Sequence, residues 1–546
     1  MSKPIIYQLF PRWFTNYNET RKHAGTKEEN GCGRFVDINE RALKAIVDLG
    51  VTHVWYTGVI RHATAQYNNP AITKGKAGSP YAITDYYDVD PDLAKNESKR
   101  MEEFEALVQR THDAGLGVII DFVPNHVSRE YKSLCKPASV KDLGEGDHPE
   151  WAFSPLNDFY YLPGERFSMD KDLQGYDEYP AKVTGNDCFT SHPSENDWYE
   201  TVKLNYGVFY QGGMEKQFNP IPSLWPKMLN ILLFWASKGI DGVRVDMAEM
   251  VPVEFFAWAI AQVKKKYKKI VFIGECYDPY KYDAYLAAGF DYLYDKVGMY
   301  EYLRGVTSKG WAADGITRQW MQHGDARIHH MLYFLENHDE QRLASGFFCG
   351  DGRCAEPAMI VAATLNQCPL MIYSGQEVGE RGMDMEGFSG IDGRTTIFDY
   401  WGVKSIQAWA NKGKFDGAKL SPEQKDLRAF YQSLLTIARD DKAIQKGRMY
   451  DITYAQSIGF DRQQHFAFLR HVKGETLLVV VNFHDREQHI KVRIPNDAFV
   501  YLGLDGKAGA IGTDLLRGGR YDVNFVPDGE SQITLPAWTG VILKIK

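Results

Sequence analysis

The chain has no uninterrupted apolar span of about eighteen residues, so no membrane-crossing helix is expected. Its N-terminus, Met1-Ser-Lys-Pro-Ile-Ile-Tyr7, carries no apolar signal-peptide core and runs directly into strand-like sequence. A soluble protein follows, cytoplasmic as written; a secreted one already relieved of its signal peptide would read the same. Cysteine is sparse: seven residues, an odd number, with no Cys-x-x-Cys pair. That excludes a dense disulfide scaffold and the commonest zinc spacing. Cys349 and Cys354 bracket a loop with two glycines and are near enough to meet, but free thiols in a reducing compartment are the expectation. A large excess of one charge is also missing. Lys and Arg number 63 against 71 Asp and Glu, a net charge of -8, the wrong sign for a nucleic-acid or anionic-membrane partner. There are no repeats, low-complexity tracts or long linkers.

Three minor motifs carry little. Lys74-Gly-Lys-Ala-Gly-Ser79 lacks phosphate-loop spacing and reads as a solvated loop. His329-His330 begins a strand with no third ligand in register, which argues against zinc. Lys264-Lys-Lys266 reads as the basic last turn of a helix, where it favours the helix dipole.

What is present is length, aromatic residues and a recurring strand. The 546 residues imply two or three domains. The 12 Trp, 32 Tyr and 29 Phe mostly fill cores, with a handful left to stack on sugars or nucleobases. Strand-like runs occur at Ile5–Phe10, Val51–Tyr56, Gly117–His126, Val243–Val245, Ile270–Glu275, Phe290–Tyr294, Met331–Glu336 and Leu370–Tyr373. Helical spacing separates several of them, at Ile38–Leu49, Ser98–Ala114, Leu224–Lys238 and Val253–Lys268. Eight strands alternating with helices is the count of a (β/α)8 barrel; a doubly wound sheet of seven or nine strands fits the pattern as well. Ser79–Asp88 reads as a Tyr-rich loop. From Val127 to about Glu200 the helical period stops, a stretch too long for a structureless loop, so an irregular subdomain is expected after strand three. The helix Leu427–Arg439 closes the barrel. After Lys446 the pattern becomes alternation, at Phe466–Val472, Thr476–Asn482, His489–Ile494 and Gly540–Ile545, which predicts a C-terminal all-β sandwich. The domains are therefore read as 1–126 with 205–445 for the barrel, 127–204 for the insertion and 446–546 for the sandwich.

The strand Val243-Arg-Val245 ends at Asp246. Arg244 stands two residues before it, so both side chains leave one face. Alone, this pair reads equally well as a structural ion pair. Other strand ends add Asp121, Asn125 and His126, then Glu275, then Glu336-Asn-His-Asp339. In a barrel these ends converge on one mouth. Several carboxylates around one cleft cannot share one pKa, and a protonated acid beside an ionised base is the division that glycoside hydrolysis uses.

On these residues the chain resembles the α-amylase family, glycoside hydrolase family 13. Four signature stretches stand in the family's order: Asp121-Phe-Val-Pro-Asn-His126, Gly242-Val-Arg-Val-Asp246, Phe272-Ile-Gly-Glu275 and Phe334-Leu-Glu-Asn-His-Asp339. The resemblance implies that Asp246 is the nucleophile, Glu275 the acid/base, and Asp339 the carboxylate that binds and distorts the sugar at the cleavage site. It implies that His126, Arg244 and His338 line that sugar's subsite, that Tyr81 stacks on the sugar, and that Arg342 faces it too. No cofactor is required for the chemistry. The implied substrate is an α-1,4-linked α-glucan or maltooligosaccharide, cleaved with retention through a covalent glycosyl-enzyme.

Two departures bear on detail. Glu249 and Met250 stand where many starch-degrading members carry the Lys-His pair that holds glucan beyond the cut, so the acceptor side must differ. In Val202-Lys-Leu-Asn205, Lys203 replaces the Asp that commonly binds calcium, a feature resembling the neopullulanase and cyclomaltodextrinase branch. Calcium is therefore not expected at that position, where Asn125 would be another ligand; the Asp-rich insertion leaves room for a different calcium site. Neopullulanase-like, α-glucosidase-like and transglycosylase activities stay open, and a non-catalytic carbohydrate-binding subunit is the reading from another class.

Overall fold

Strand alternation decides the architecture. In the computed structural model, which describes residues 3–385 and 390–546, eight strands carry apolar side chains on both faces. They are β1 (Ile5–Leu9), β2 (His53–Tyr56), β3 (Gly117–Phe122), β4 (Gly242–Val245), β5 (Val271–Gly274), β6 (Tyr292–Tyr294), β7 (Met331–Phe334) and β8 (Leu370–Tyr373). One set, including Ile6, Trp55, Ile119, Ile273, Leu332 and Met371, fills the interior. The alternate set, including Tyr7, Val54, Ile120, Val243, Phe272 and Ile372, meets the surrounding helices. Burial on both faces explains the unbroken apolar runs. All eight strands are parallel and close on themselves, β1 pairing with both β2 and β8. The expected (β/α)8 barrel is the observed fold. Met1 and Ser2, which the sequence reading runs into the first strand, lie outside the described residues.

Local differences have local causes. The third strand ends at Phe122 rather than His126, because Pro124 has no N–H for the ladder. His126–Ser128 forms a separate strand, antiparallel to Thr201–Lys203. This pair ties together the two ends of the inserted segment. The insertion is irregular, with a two-residue ladder between Tyr161–Leu162 and Ala181–Lys182, yet it has its own small core of Tyr160, Leu162, Phe167, Val183 and Tyr199. The Tyr-rich segment read as a loop is in large part a strand, Ile83–Val89, paired antiparallel with Ile60–His62. His329 and His330 sit in a 3-10 turn, and the strand begins at Met331. The expectation of free thiols fails at one place: Cys349 and Cys354 are joined as a disulfide, while the other five cysteines are free. No described helix is long and apolar enough to cross a membrane.

The C-terminal strands are β9 (Arg448–Asp451), β10 (His465–Val472), β11 (Glu475–Asn482), β12 (Gln488–Ile494), β13 (Lys507–Asp514), β14 (Arg520–Phe525), β15 (Gly529–Leu535) and β16 (Thr539–Ile545). They form a six-stranded sheet in the order β9-β10-β11-β16-β13-β14, and β12 pairs with β15 in a second, small sheet. The central strands are apolar on both faces. Phe466, Phe468, Leu477, Val479, Val481 and Ile542 belong to the core shared with the barrel. Ala467, Leu469, Leu478, Val480, Val541 and Leu543 belong to the core between the two sheets.

One buried cation closes this seam. Arg470 has no carboxylate partner among the described residues; its guanidinium donates to the carbonyls of Leu365 (2.8 Å), Ala443 (3.1 Å), Ile444 (2.7 Å) and Gly447 (2.9 Å). Burial pulls its pKa down to about 10. Arg470→Ala strands several buried acceptors at once, so it should cost about 3 kcal/mol or more. Chemical denaturation reads this directly; a variant within about 0.5 kcal/mol of wild type would show the carbonyls to be satisfied otherwise.

Candidate active site

β4 places the central group. Val243 and Val245 face the helices, so Gly242, Arg244 and the following Asp246 face inward. Arg244 is 1% exposed and lies on the barrel's apolar plug, with its guanidinium carbon 5.2 Å from the Trp55 ring and 5.6 Å from the Tyr294 ring. The register sets it beside Asp121 on β3 and Ile273 on β5. Its Nη1 donates to Asp246 Oδ1 at 2.7 Å, and its Nη2 lies 2.7 Å from Glu275 Oε2. Nη1 also reaches Asp121 Oδ1 at 3.4 Å.

One guanidinium thus hydrogen-bonds one oxygen of Asp246 and sits in ion-pair contact with one oxygen of Glu275. The Met247 N–H donates to the same Glu275 Oε2 at 2.9 Å, aimed there by a left-handed turn with φ of +43° at Met247. Such a conformation is strained for a non-glycine residue. Asp246 Oδ2 has no hydrogen-bond partner among the described residues, and Glu275 Oε1 accepts only from the Tyr277 hydroxyl, at 2.6 Å. Asp246, Glu275 and Asp339 all line one cavity of about 570 Å³.

Tyr81 and His126 line the same cavity. His338 and Arg244 stand behind that wall. The His338 ring stacks on Tyr81, centroids 5.3 Å apart, and accepts or donates a bond with the Tyr81 hydroxyl. Its Nε2 is 3.2 Å from Asp339 Oδ2, and its Nδ1 meets Gln8 Nε2 at 2.8 Å. Arg342 does not face the cavity. It is fully buried, bonded to Glu336 Oε2 (2.9 Å) and Thr395 Oγ1 (2.9 Å), with Tyr373 under its guanidinium. Three residues past Asp339 the chain has turned inward, so Arg342 braces the loop that carries Asp339.

Electrostatics follow from burial. Burial pushes Asp121 up to about 6 and Asp339 up to about 7, with Arg244 opposing both and Glu275 adding to the push. Burial also raises Asp246 well above the ordinary carboxylate range, against Arg244. One guanidinium cannot balance these neighbouring carboxylates, so the cluster holds protons and titrates as a unit. The direct 2.7 Å bond favours leaving negative charge on Asp246. His126 is pulled down to about 3 by burial and by Lys203 and Lys74, and His338 falls well below its ordinary range through burial and Arg244. Both imidazoles are neutral and act as hydrogen-bonding walls.

Other cavity residues escaped the sequence reading. Lys74 is not in a solvated loop; it pairs with Glu200 at 3.3 Å, and both line the cavity. Trp198 packs against His126, centroids 5.2 Å apart. On the opposite side, Lys296 pairs with Glu340 at 2.7 Å and lies over Tyr300. Trp198 and Glu200 come from the aperiodic insertion, where spacing gives no signal. Tyr277, two residues after Glu275, could have been found from the period of an extended chain.

The chain matches the family model of the alpha amylase catalytic domain over residues 8–443 and that of the alpha amylase C-terminal all-beta domain over residues 460–546. It belongs to the α-amylase family. It is 22% identical over 493 residues to Alpha-amylase 2 of Dictyoglomus thermophilum, covering 89% of this chain and 70% of that one. It is 23% identical over 512 residues to Neopullulanase 2 of Thermoactinomyces vulgaris, covering 90% and 71%. Among solved structures, an α-amylase from Geobacillus thermoleovorans complexed with acarbose shares the fold, with a TM-score of 0.64, 18% identity and coverage of 100% and 98%.

This α-amylase-family protein is a glycoside hydrolase. The position associated with calcium in the family holds a cation of its own. The Lys203 ammonium lies 2.8 Å from Asn125 Oδ1 and 2.5 Å from Asp187 Oδ1, buried where the barrel meets the insertion. The donor set is already filled and a divalent ion does not fit beside it. Elsewhere, Asp85, Asp88 and Cys135 approach one another. Asp88 is gripped by Arg61 and Arg100, and Asp85 accepts from the N–H groups of Leu134 and Cys135, so these carboxylates are already engaged.

Two outcomes test this site. A strong chelator should leave the melting temperature within about 1 °C, whereas Lys203→Met should lower it by several degrees; a large drop with chelator, reversed by calcium, would refute the assignment of Lys203. The second concerns pH. Asp339 binds its proton more tightly folded, at about 7, than unfolded, at about 3.9. The stability this confers is therefore present below about pH 4 and lost as pH rises through about 7. Wild type and Asp339→Asn should melt together near pH 4 and diverge by pH 8, the variant melting higher. Asp339 leaves 38% of its side chain open to the cleft, and solvent limits the gap to a few degrees. Melting curves that stay parallel across this range would contradict the raised value.

Proposed function

We propose that the protein hydrolyses α-1,4-glucosidic bonds in starch-like α-glucans and maltooligosaccharides, with retention of anomeric configuration. The observation that carries this reading is the division of oxygens around Arg244: Asp246 Oδ2 and Glu275 Oε1 are left for chemistry while their partners are tied down. Asp246 Oδ2 attacks the anomeric carbon as the glycosidic bond breaks, and Glu275 delivers its proton to the departing oxygen. Glu275 then takes a proton from water, whose oxygen displaces Asp246. Asp339, Tyr81 and His126 hold the sugar at the cut. The fixed guanidinium needs no reorganisation during either step. Two lysines line the cleft, Lys74 and Lys296, and each is paired with a carboxylate. No cation among the described lining residues is left unpaired to hold an anionic group, and the further carboxylates there disfavour one.

A second reading has its own support. Glu249 is turned from the cleft toward the chain after β5, so it offers nothing to a bound glucan there. With Lys203 and the neopullulanase likeness, this favours a neopullulanase- or cyclomaltodextrinase-like specificity, or transfer to a sugar acceptor.

Product profiles on soluble starch, pullulan, a cyclodextrin and maltoheptaose separate these readings. Short maltooligosaccharides from starch, with pullulan and cyclodextrin untouched, are the expected outcome. Panose or maltose from pullulan, with rapid cyclodextrin opening, would move the protein to the second reading, as would products longer than the maltoheptaose supplied. Asp246→Asn should abolish turnover with the fold intact, and Glu275→Gln should cost about 10²- to 10⁴-fold. Near-normal activity in Asp246→Asn, after excluding deamidation, would remove the assignment.

A further inference from the structure

We propose that Tyr277 and Glu249 aim the proton of Glu275: Glu249 fixes the turn after β5, and the Tyr277 hydroxyl held by that turn makes Oε1 the oxygen that exchanges the proton with substrate. The inference rests on the reading of Glu275 as the acid/base.

The proton's place follows by elimination. Glu275 Oε2 accepts from the Met247 N–H at 2.9 Å and lies in ion-pair contact with the Arg244 guanidinium, Nη2 at 2.7 Å, without a hydrogen bond between them. Neither group can accept, and a proton on Oε2 would stand beside the guanidinium charge. Oε1 is the oxygen placed to carry it. The partner of Oε1 among the described residues is the Tyr277 hydroxyl, at 2.6 Å. A phenol both donates and accepts. When Glu275 is ionised the phenol donates to Oε1; when Glu275 is protonated Oε1–H donates to the phenol oxygen. Tyr277 itself stays protonated, because burial and Glu275 raise its pKa far above neutrality.

Tyr277 is held from the neighbouring strand end. Glu249, in the Ala248–Met250 turn that follows β4 and Asp246, accepts from the Asp278 N–H at 3.0 Å and from the Tyr277 N–H at 3.3 Å with the same oxygen, Oε2. The Cys276 thiol lies 3.8 Å from that oxygen. Glu249 therefore joins the β4 and β5 rims and sets the direction in which Tyr277 leaves the chain. It touches no reacting atom and is a positioning residue.

The remaining groups facing Glu275 are Arg244 and Asp246 from β4, Asp121 from β3, Tyr294 from β6 and Asp339 after β7. None of them changes when the phenol is removed. The phenol bonds the carboxylate more strongly than the neutral acid, because only the former bond is charge-assisted. Losing it removes the bond that holds the ionised form of Glu275 and leaves its proton less well directed.

The test is the pH profile of kcat/KM on two substrates. One is an unactivated maltooligosaccharide, whose leaving oxygen needs a proton. The other is α-maltosyl fluoride, whose leaving group needs little proton assistance. Tyr277→Phe should move the alkaline limb up by about one pH unit. It should lower kcat roughly tenfold on the oligosaccharide, with KM little changed, and have far less effect on the fluoride. Glu249→Ala should reproduce this pattern, and Glu249→Gln, which keeps an oxygen for the two N–H groups, should stay within about twofold of wild type. The double variant of Tyr277→Phe and Glu249→Ala should be no worse than the weaker single variant, since both remove one arrangement. If Glu249→Ala does not fold, Glu249→Asp withdraws the acceptor by one methylene and should show the same shift. An unmoved alkaline limb in Tyr277→Phe, or additive losses in the double variant, would overturn the proposal. Glu275→Gln separates this failure from a deeper one. If it hydrolyses the oligosaccharide within about tenfold of wild type, the acid/base reading itself fails. If it loses the oligosaccharide but keeps kcat/KM on the fluoride, which reads the step before water attacks, while Tyr277→Phe behaves as wild type, only the aiming role fails.

Discussion

The site depends on a single buried cation. Arg244 sits at the end of an apolar plug, where an unpaired charge would be prohibitively costly, and it is surrounded by carboxylates that would be equally costly without it. Neither partner is tolerable alone in that interior. The barrel supplies the geometry that brings them together: a register that places Arg244 beside Asp121 and Ile273, and parallel strands whose ends converge. Because the guanidinium is planar and forked, it fixes the angles of Asp246 and Glu275 as well as their charge.

The same logic recurs at three other buried places. Lys203 joins Asn125 to Asp187 at the root of the insertion. Arg470 answers backbone carbonyls at the seam between the barrel and the C-terminal sheet. Arg342 serves Glu336 behind the loop of Asp339. In each case a long cationic side chain satisfies acceptors that the local fold cannot.

The barrel was legible because its strands are buried on both faces and end in polar groups, so runs such as Gly117–Phe122 and Val271–Gly274 stand out against amphipathic helices. Asp246 and Glu275 are legible for the same reason, each directly following such a strand, whereas Asp339 lies three polar residues past its apolar run. Arg342 was misplaced because spacing along a loop says nothing about which way the chain turns. Lys74, Trp198 and Glu200 were missed because they reach the cleft from segments without a period, where tertiary packing alone decides direction. The strand at Ile83–Val89 reads as a loop in sequence because its tyrosines and aspartates are all buried and do not alternate.

The C-terminal sheet has a further consequence. Its central strands carry one apolar row toward the barrel and another toward the small sheet, so it has no dry side to spare. A chain cut between residues 447 and 465 would yield two pieces, each with a greasy wound of matching shape. Such fragments are poor candidates for separate life in solution and good candidates for reassembly with each other. The sandwich is therefore better regarded as the outer wall of the barrel's own hydrophobic layer than as an appendage, and any attempt to graft it elsewhere must bring a replacement for the surface it leaves behind.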